Sequence, residues 1–201
     1  MPEKSRRELA LQSAEKIFAQ YGYDGATMRM IADDAELKLA LLTYHFRTKL
    51  NLYREVFAQH QSLNEMRVKA LREVDVEADE AIERIVDAFL IIGHVNTDDI
   101  RKARYLRVVL REAADPQAYD RGILTEFFDP MAREFIRALH KAMPHQSSGF
   151  ARWGYLFAVG ALITSNFDDR ERVLAEGAIN TEDRLALLRN FIVAGLKNGG
   201  A

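Results

Sequence analysis

Apolar residues recur at three- and four-residue steps along most of the chain, and no stretch of strict apolar/polar alternation stands out. That period belongs to amphipathic helices, so an all-α fold is predicted. Ala10, Ala14, Ile17, Phe18 and Tyr21 form the first apolar stripe. They fit a helix of about 18 residues ending at Gly22, a residue suited to the left-handed position after a helix. "YDGA" reads as a turn. Thr27 then caps a short helix that turns Met28, Ile31, Ala32 and Ala35 inward. After a bend near Ala35–Leu37, a third short helix ends near His45. A fourth runs from about Thr48 through Leu52, Tyr53, Val56 and Phe57 to about Leu71.

The segment "VDVEADEA" breaks the pattern, with Asp79 placed to cap the next helix. Ile82, Ile85, Val86, Phe89, Leu90 and Ile92 give that helix a broad apolar face. Tyr105, Val108 and Val109 mark another, between the turn "NTDD" and "ADP". A longer segment carries Leu124, Phe127, Phe128, Met131, Phe135 and Leu139. Pro130 lies inside it and predicts a kink or a restart. Two last helices cover about 149–168 and 181–197, separated by "DDRERVLAEGAIN". The count is about eight to ten helices, divided into a small N-terminal unit at 1–48 and a larger helical domain at 49–201.

Composition narrows the function. At 48% hydrophobic and 29% charged, the 201 residues make an ordinary folded chain with its own core. There is no cysteine, which excludes disulfides and thiolate chemistry. The longest charge-free run, Trp153 to Phe167, has 15 residues and falls short of a membrane span. The N-terminus lacks the apolar run of a signal peptide, so a cytoplasmic protein with no membrane partner is expected. No GxSxG, HExxH, Walker or dinucleotide pattern occurs. His140 and His145 flank Pro144 at a spacing unlike a zinc site. No catalytic residue, metal or cofactor is therefore expected. Net charge is −2, but residues 1–54 hold nine Lys/Arg against seven Asp/Glu, and the rest 19 against 23. The sign points any polyanionic partner to the N-terminal segment.

That segment has the makings of a helix-turn-helix, whose second helix enters the DNA major groove. Ile31, Leu37 and Leu42 lock the helix pair, and Ala32 lets the helices approach. Lys38, Leu39, Leu41, Thr43, Tyr44, His45 and Lys49 are left to face bases and phosphates, with Arg29 reaching from the preceding helix. "YGYDG", Thr27, "IA" at 31–32, "YHF" at 44–46 and Lys49 occur together in register. Over about residues 9–57 the chain resembles the DNA-binding domain of the TetR family of transcriptional repressors.

The resemblance implies a homodimer that reads a palindromic double-stranded DNA operator and is released by a small-molecule effector. It implies phosphate contacts at Thr27 and Lys49, and base or backbone contacts at Arg29, Thr43, Tyr44 and His45, with Lys4, Arg6 and Arg7 as a basic arm. Three departures stand out. Glu36 occupies a bend position where the family usually has Gly, Lys38 one often filled by a capping Ser, and "LAL" replaces a commoner pattern with Gly and hydroxyl residues. They leave open an alternative, a dimeric helical interaction module with weakened DNA binding.

In the larger domain, an effector pocket needs apolar lining and a few polar anchors. Candidates are Phe89, His94, Arg104, Tyr105, Phe127, Phe128, Met131 and Trp153, with Asn166 as a further anchor. Most of these also fit an ordinary core. A helix apolar nearly all round must be buried on several sides. Trp153, Gly154, Phe157, Ala158, Ala161, Leu162 and Ser165, with Leu185, Leu188, Phe191 and Ile192 of the last helix, therefore predict an isologous four-helix dimer interface. A monomer core is the alternative for these residues.

Overall fold

The structure, a computed structural model, describes residues 5–92, 100–167 and 180–200. His94, Lys4, the "NTDD" turn and nearly all of "DDRERVLAEGAIN" lie outside these residues. Among the described residues there are twelve helices and no strand. They are α1 (Arg6–Gly25), α2 (Met28–Asp34), α3 (Leu39–Phe46), α4 (Lys49–Ala58), α5 (Gln61–Arg72), α6 (Ala81–Leu90) and α7 (Ile100–Ala114). The others are α8 (Ala118–Arg121), α9 (Ile123–Phe127), α10 (Asp129–Ala142), α11 (Ser148–Phe167) and α12 (Thr181–Asn198). No helix of the described residues is long and apolar enough to cross a membrane.

The helix count exceeds the expected range because two predicted helices are divided and the short α8 was not predicted. The fourth breaks at His60. There the His60 Nε2 meets a buried Glu15 oxygen at 2.7 Å, and the ring stacks on Tyr105 at 3.9 Å between centroids. A polar contact from another helix interrupts an apolar period that continues unchanged in the sequence. The second division is at Pro130, which restarts the chain as α10. It sits in that helix's first turn, where its missing N–H leaves no bond unmade. The helix after "VDVEADEA" begins from Glu80 rather than Asp79, with no side-chain cap. At the N-terminus a capping box closes α1. Glu8 N–H donates to the Ser5 hydroxyl at 3.2 Å, and Ser5 N–H donates to the Glu8 carboxylate at 2.8 Å.

The chain gathers into two compact units, Met1–Ser62 with Asn96–Phe127, and Leu63–Val95 with Phe128–Ala201. In the first, α1 packs on α7 and α4 and carries α2 and α3. Its core is a run of rings: Phe18 edge-on to Tyr53 at 4.6 Å, Tyr53 to Phe57 at 5.0 Å, and Phe57 to Tyr105 at 6.0 Å. In the second unit, α10 packs on α6 and α11, and α12 on α6 and α11. Phe89, Phe135 and Tyr155 meet there, and the buried Arg67 guanidinium lies 5.1 Å from the Phe89 ring centre and 5.6 Å from that of Phe135.

Candidate nucleic-acid interface

The site is built on α2 and α3. The Thr27 hydroxyl accepts from Met30 N–H at 3.1 Å and so starts α2 where the sequence places it. Ile31 and Ala32 are fully buried, as are Leu42 and Phe46 of α3. Those four side chains fix which side of each helix faces outward.

The turn between the helices is a Schellman motif. Leu37 N–H donates to Ala32 O at 2.9 Å and Glu36 N–H to Asp33 O at 3.2 Å. The motif places Glu36 in the left-handed region, at φ 54. Glycine is at ease there, whereas a Cβ costs on the order of 1–2 kcal/mol. The far end of α3 carries a second such residue. Arg47 has φ 63 and ψ −56, and Thr48 N–H donates to Phe46 O at 2.7 Å, which is a γ-turn of the strained hand. The recognition helix is thus bracketed by two non-glycine residues held at positive φ. The surrounding buried residues maintain that geometry against the strain.

Between those brackets α3 presents Thr43, Tyr44 and His45 to solvent, and Tyr44 is 79% exposed. The Tyr44 and His45 rings sit edge to face at 5.4 Å. Leu39 is exposed and Leu41 half-buried. Lys38, at the head of α3, is exposed and makes no capping bond. Arg29 is exposed on α2. Thr27 is also exposed, although its hydroxyl is engaged in the cap.

Lys49 is placed differently from these residues. Its ammonium donates to Tyr23 O at 2.9 Å and Ala26 O at 3.1 Å, and lies 4.3 Å from the Tyr23 ring centre. It braces the start of α4 against the segment leading into α2. Arg7 is also engaged, paired with Glu55 at 2.8 Å and 5.4 Å from the Phe46 ring centre, while Arg6 is exposed. Arg47 is exposed at the tail of α3 and was not among the residues predicted from sequence. The signal was present in "FRT", where a basic residue ends the recognition helix.

The remaining candidates fall in both units. Phe89 and Met131 are buried in the second, where Phe128 is half-buried and Trp153 is 59% exposed. Tyr105 is buried in the first. Burial raises the Asp34 carboxyl pKa, but the bonds to Lys16 and Ser13 outweigh it and, with a lesser contribution from the Arg104 charge, hold it below its ordinary value. Phe127, with His45, Arg47 and Arg54, lines an open cleft beside α3.

The α11 and α12 residues divide by depth. Gly154, Ala158, Leu162, Leu185, Leu188 and Ile192 are buried within the protomer. A Cβ on Gly154 would stand 2.6 Å from a Leu196 methyl, so a larger residue there would require the Leu196 side chain to shift. Trp153, Phe157 and Phe191 are exposed, with Leu156 and Leu187 beside them. Ala161 and Ser165 are half-buried.

Comparison with known proteins follows the same division of the chain. The model for bacterial regulatory proteins of the tetR family matches residues 10–56. The model for the tetracyclin repressor-like C-terminal domain matches residues 94–195, about half of the chain. The "HTH-type transcriptional activator FasR" of Mycolicibacterium smegmatis is 38% identical over 60 residues, which is 30% of this chain and 27% of that protein. The "Probable acrEF/envCD operon repressor" of Escherichia coli is 36% identical over 63 residues, 31% of this chain and 28% of that one. The chain thus matches little more than a quarter of the length of these curated relatives. A TetR-like regulator from Rhodococcus superimposes with a TM-score of 0.64 at 20% identity, covering 98% of this chain and 99% of that one. The regulator PfmR of Thermus thermophilus gives 0.62 at 17% identity, covering 94% and 97%. These two likenesses establish the fold.

Proposed function

This chain belongs to the TetR family of bacterial regulatory proteins, and from that premise we propose that it is a dimeric repressor which a small molecule lifts from a palindromic operator. The observation that carries the DNA-binding part is the outward face of α3. Its exposed Thr43, Tyr44 and His45 stand opposite the buried Leu42 and Phe46, with Arg29, Lys38 and Arg47 exposed around them. A helix so anchored keeps its outward side chains in fixed register for a groove, and the surrounding cations suit phosphates. Thr27 and the start of α4 contribute backbone N–H groups to phosphate, with Lys49 as the brace that positions them.

Dimerisation is proposed through the outer faces of α11 and α12, where Trp153, Phe157 and Phe191 are exposed together with Leu156 and Leu187. The effector is proposed to bind within residues 49–201, with Phe89, Phe128, Met131 and Trp153 as candidates in one unit and Arg104, Tyr105 and Phe127 in the other; His94 lies outside the described residues. Repression is supported by the repressor among the relatives. The activator among them shows that the N-terminal motif alone does not set the sign of regulation. Release is a population shift toward dimers whose recognition helices no longer match half-sites about one DNA turn apart.

Selection of genomic fragments with the purified protein, followed by gel shifts across a salt series, tests this reading. Enrichment of fragments carrying a two-fold-related sequence is expected. A dimer that retains no fragment above competitor DNA at any salt favours the second reading, an interaction module with weakened DNA binding. Glu36, with its backbone strained at positive φ and its carboxylate in the turn before α3, is what makes that reading specific.

A further inference from the structure

The outward face of α3 is distinguished by what it lacks. With Leu42 and Phe46 turned inward, helical geometry puts Ala40, Leu41 and Tyr44 on the opposite side, with Thr43 and His45 flanking them. From Leu39 to Phe46 there is no guanidinium, ammonium, carboxamide or carboxylate side chain. Those are the groups that read guanine, adenine and cytosine edges through strong or paired hydrogen bonds. What remains is apolar surface plus a phenol, a hydroxyl and an imidazole. In the major groove, the base feature that matches apolar surface is the C5-methyl of thymine. The cations stand around this face rather than on it: Arg29 on α2, Lys38 at the head of α3 and Arg47 at its tail, all exposed. They complement phosphates, which position the helix without conveying sequence.

Resting on the DNA-binding function proposed above, we infer that α3 reads its half-site chiefly through thymine methyl groups, with Ala40, Leu41 and Tyr44 as the specificity-determining side chains. A methyl seated against Leu41 or the Tyr44 ring removes apolar surface from water on both partners. Where Ala40 or Leu41 faces the base, replacing its T·A pair by C·G deletes the methyl and turns the cytosine amino group toward a side chain that offers it no acceptor.

The test uses the full chain and DNA altered one group at a time. Duplexes are selected from a random-sequence library with the wild-type protein. Each thymine of the selected site is then replaced by deoxyuridine, which deletes only the methyl. At one or more thymines per half-site, affinity falls about fourfold. At the same positions, 5-methylcytosine binds more tightly than cytosine. In Leu41→Ala and Tyr44→Ala, which alter outward side chains, the thymine-to-deoxyuridine ratio falls toward one at the position each side chain reads. A selected site at which no deoxyuridine changes affinity by even about twofold overturns the methyl readout and leaves sequence-specific DNA binding standing. A deoxyuridine penalty that survives both substitutions overturns its assignment to α3. A library yielding no enriched sequence overturns the DNA-reading function, and the readout with it.

Discussion

The Tyr53 hydroxyl donates to a Glu112 oxygen at 3.0 Å, with both side chains buried. Burial, reinforced by the Glu112 charge, pushes the Tyr53 phenol well above its ordinary pKa and favours the protonated, donating form. The same Glu112 Oε2 also accepts from Arg121, through Nε at 3.1 Å and Nη2 at 2.9 Å. The Arg121 guanidinium lies 5.0 Å from the Tyr23 ring centre, the same ring that Lys49 approaches. This ties α4, α7, α8 and the end of α1 into one polar cluster. Tyr53→Phe is expected to cost about 1.5–3 kcal/mol, the worth of a hydrogen bond to a charged group. Glu112→Ala leaves Arg121 buried with only Asp115 opposite it and is expected to cost about 3–5 kcal/mol. Urea denaturation measures both. Equal losses would mean that Arg121 finds another anion.

Asp115 gives the cluster a pH dependence. The Gln117 N–H, 2.8 Å away, lowers its carboxyl pKa, burial raises it, and Arg121 lowers it further, with a net shift downward. Folded Asp115 therefore binds fewer protons than the unfolded residue. Its contribution is complete above the unfolded pKa and is lost as pH falls through the folded one, below about pH 4. Glu83 with Lys197 and Glu134 with Arg72 shift in the same direction, but their cations are far more exposed than Arg121, so these pairs contribute less. In acid titrations followed by circular dichroism, Asp115→Asn should show a shallower loss of stability below about pH 4 than the wild type. An unchanged slope would assign the acid limb to other carboxyls.

Glu36→Gly removes the Cβ from a residue at φ 54. Relief of about 1–2 kcal/mol of strain is partly offset by glycine's greater freedom in the unfolded chain. A net gain of up to about 1 kcal/mol is expected, read as a higher urea midpoint with unchanged slope. The same change deletes an anion beside the groove face, so nonspecific DNA affinity at low salt should rise. A loss of stability would show that the Glu36 side chain has a stabilising partner in solution.

Lys38→Ala and Lys49→Ala should separate a phosphate contact from a brace. Lys38 is exposed and outside any cap, so its loss is expected to reduce the salt slope of DNA binding by about 1, with stability nearly unchanged. Lys49 donates to two backbone carbonyls. Its loss is expected to cost about 1–3 kcal/mol of stability while leaving the salt slope close to wild type. Reversal of the two phenotypes would put Lys49 on phosphate.

Lys49 also shows where sequence reading stops. Its position at the start of a helix was legible, as were the Thr27 cap, the inward Leu42 and Phe46, the outward Tyr44 and the restart at Pro130, because each follows from local period and turn chemistry. The direction of its side chain was not legible, because the Tyr23 and Ala26 carbonyls that attract it belong to another turn of chain. Glu36 lay between these cases, since the glycine usual at that bend marked the position as a departure without establishing its positive φ. At Arg47 the charge at the helix end was visible in "FRT" and was passed over, whereas nothing there announces the γ-turn. Glu112 and Arg121 were missed because a buried ion pair between separate helices leaves no periodic trace.

Trp153 is the chain's one tryptophan, and in the protomer it is 59% exposed, its ring 5.6 Å from that of Phe157, while Phe191 on α12 is 72% exposed. If the outer faces of α11 and α12 form a two-fold interface, association moves Trp153 out of water and its emission to shorter wavelength. Dilution of the wild type should then shift the emission toward red, with a midpoint matching the dimer dissociation constant from sedimentation. Phe191→Asp removes one buried ring from each side of an isologous contact. At about 1.5–3 kcal/mol per ring, counted twice, association should weaken by about two to four orders of magnitude. The variant should keep its helicity, sediment as a monomer and show red emission at all concentrations. A wild type that remains dimeric while its tryptophan emission stays that of a solvated ring would place the interface on another face.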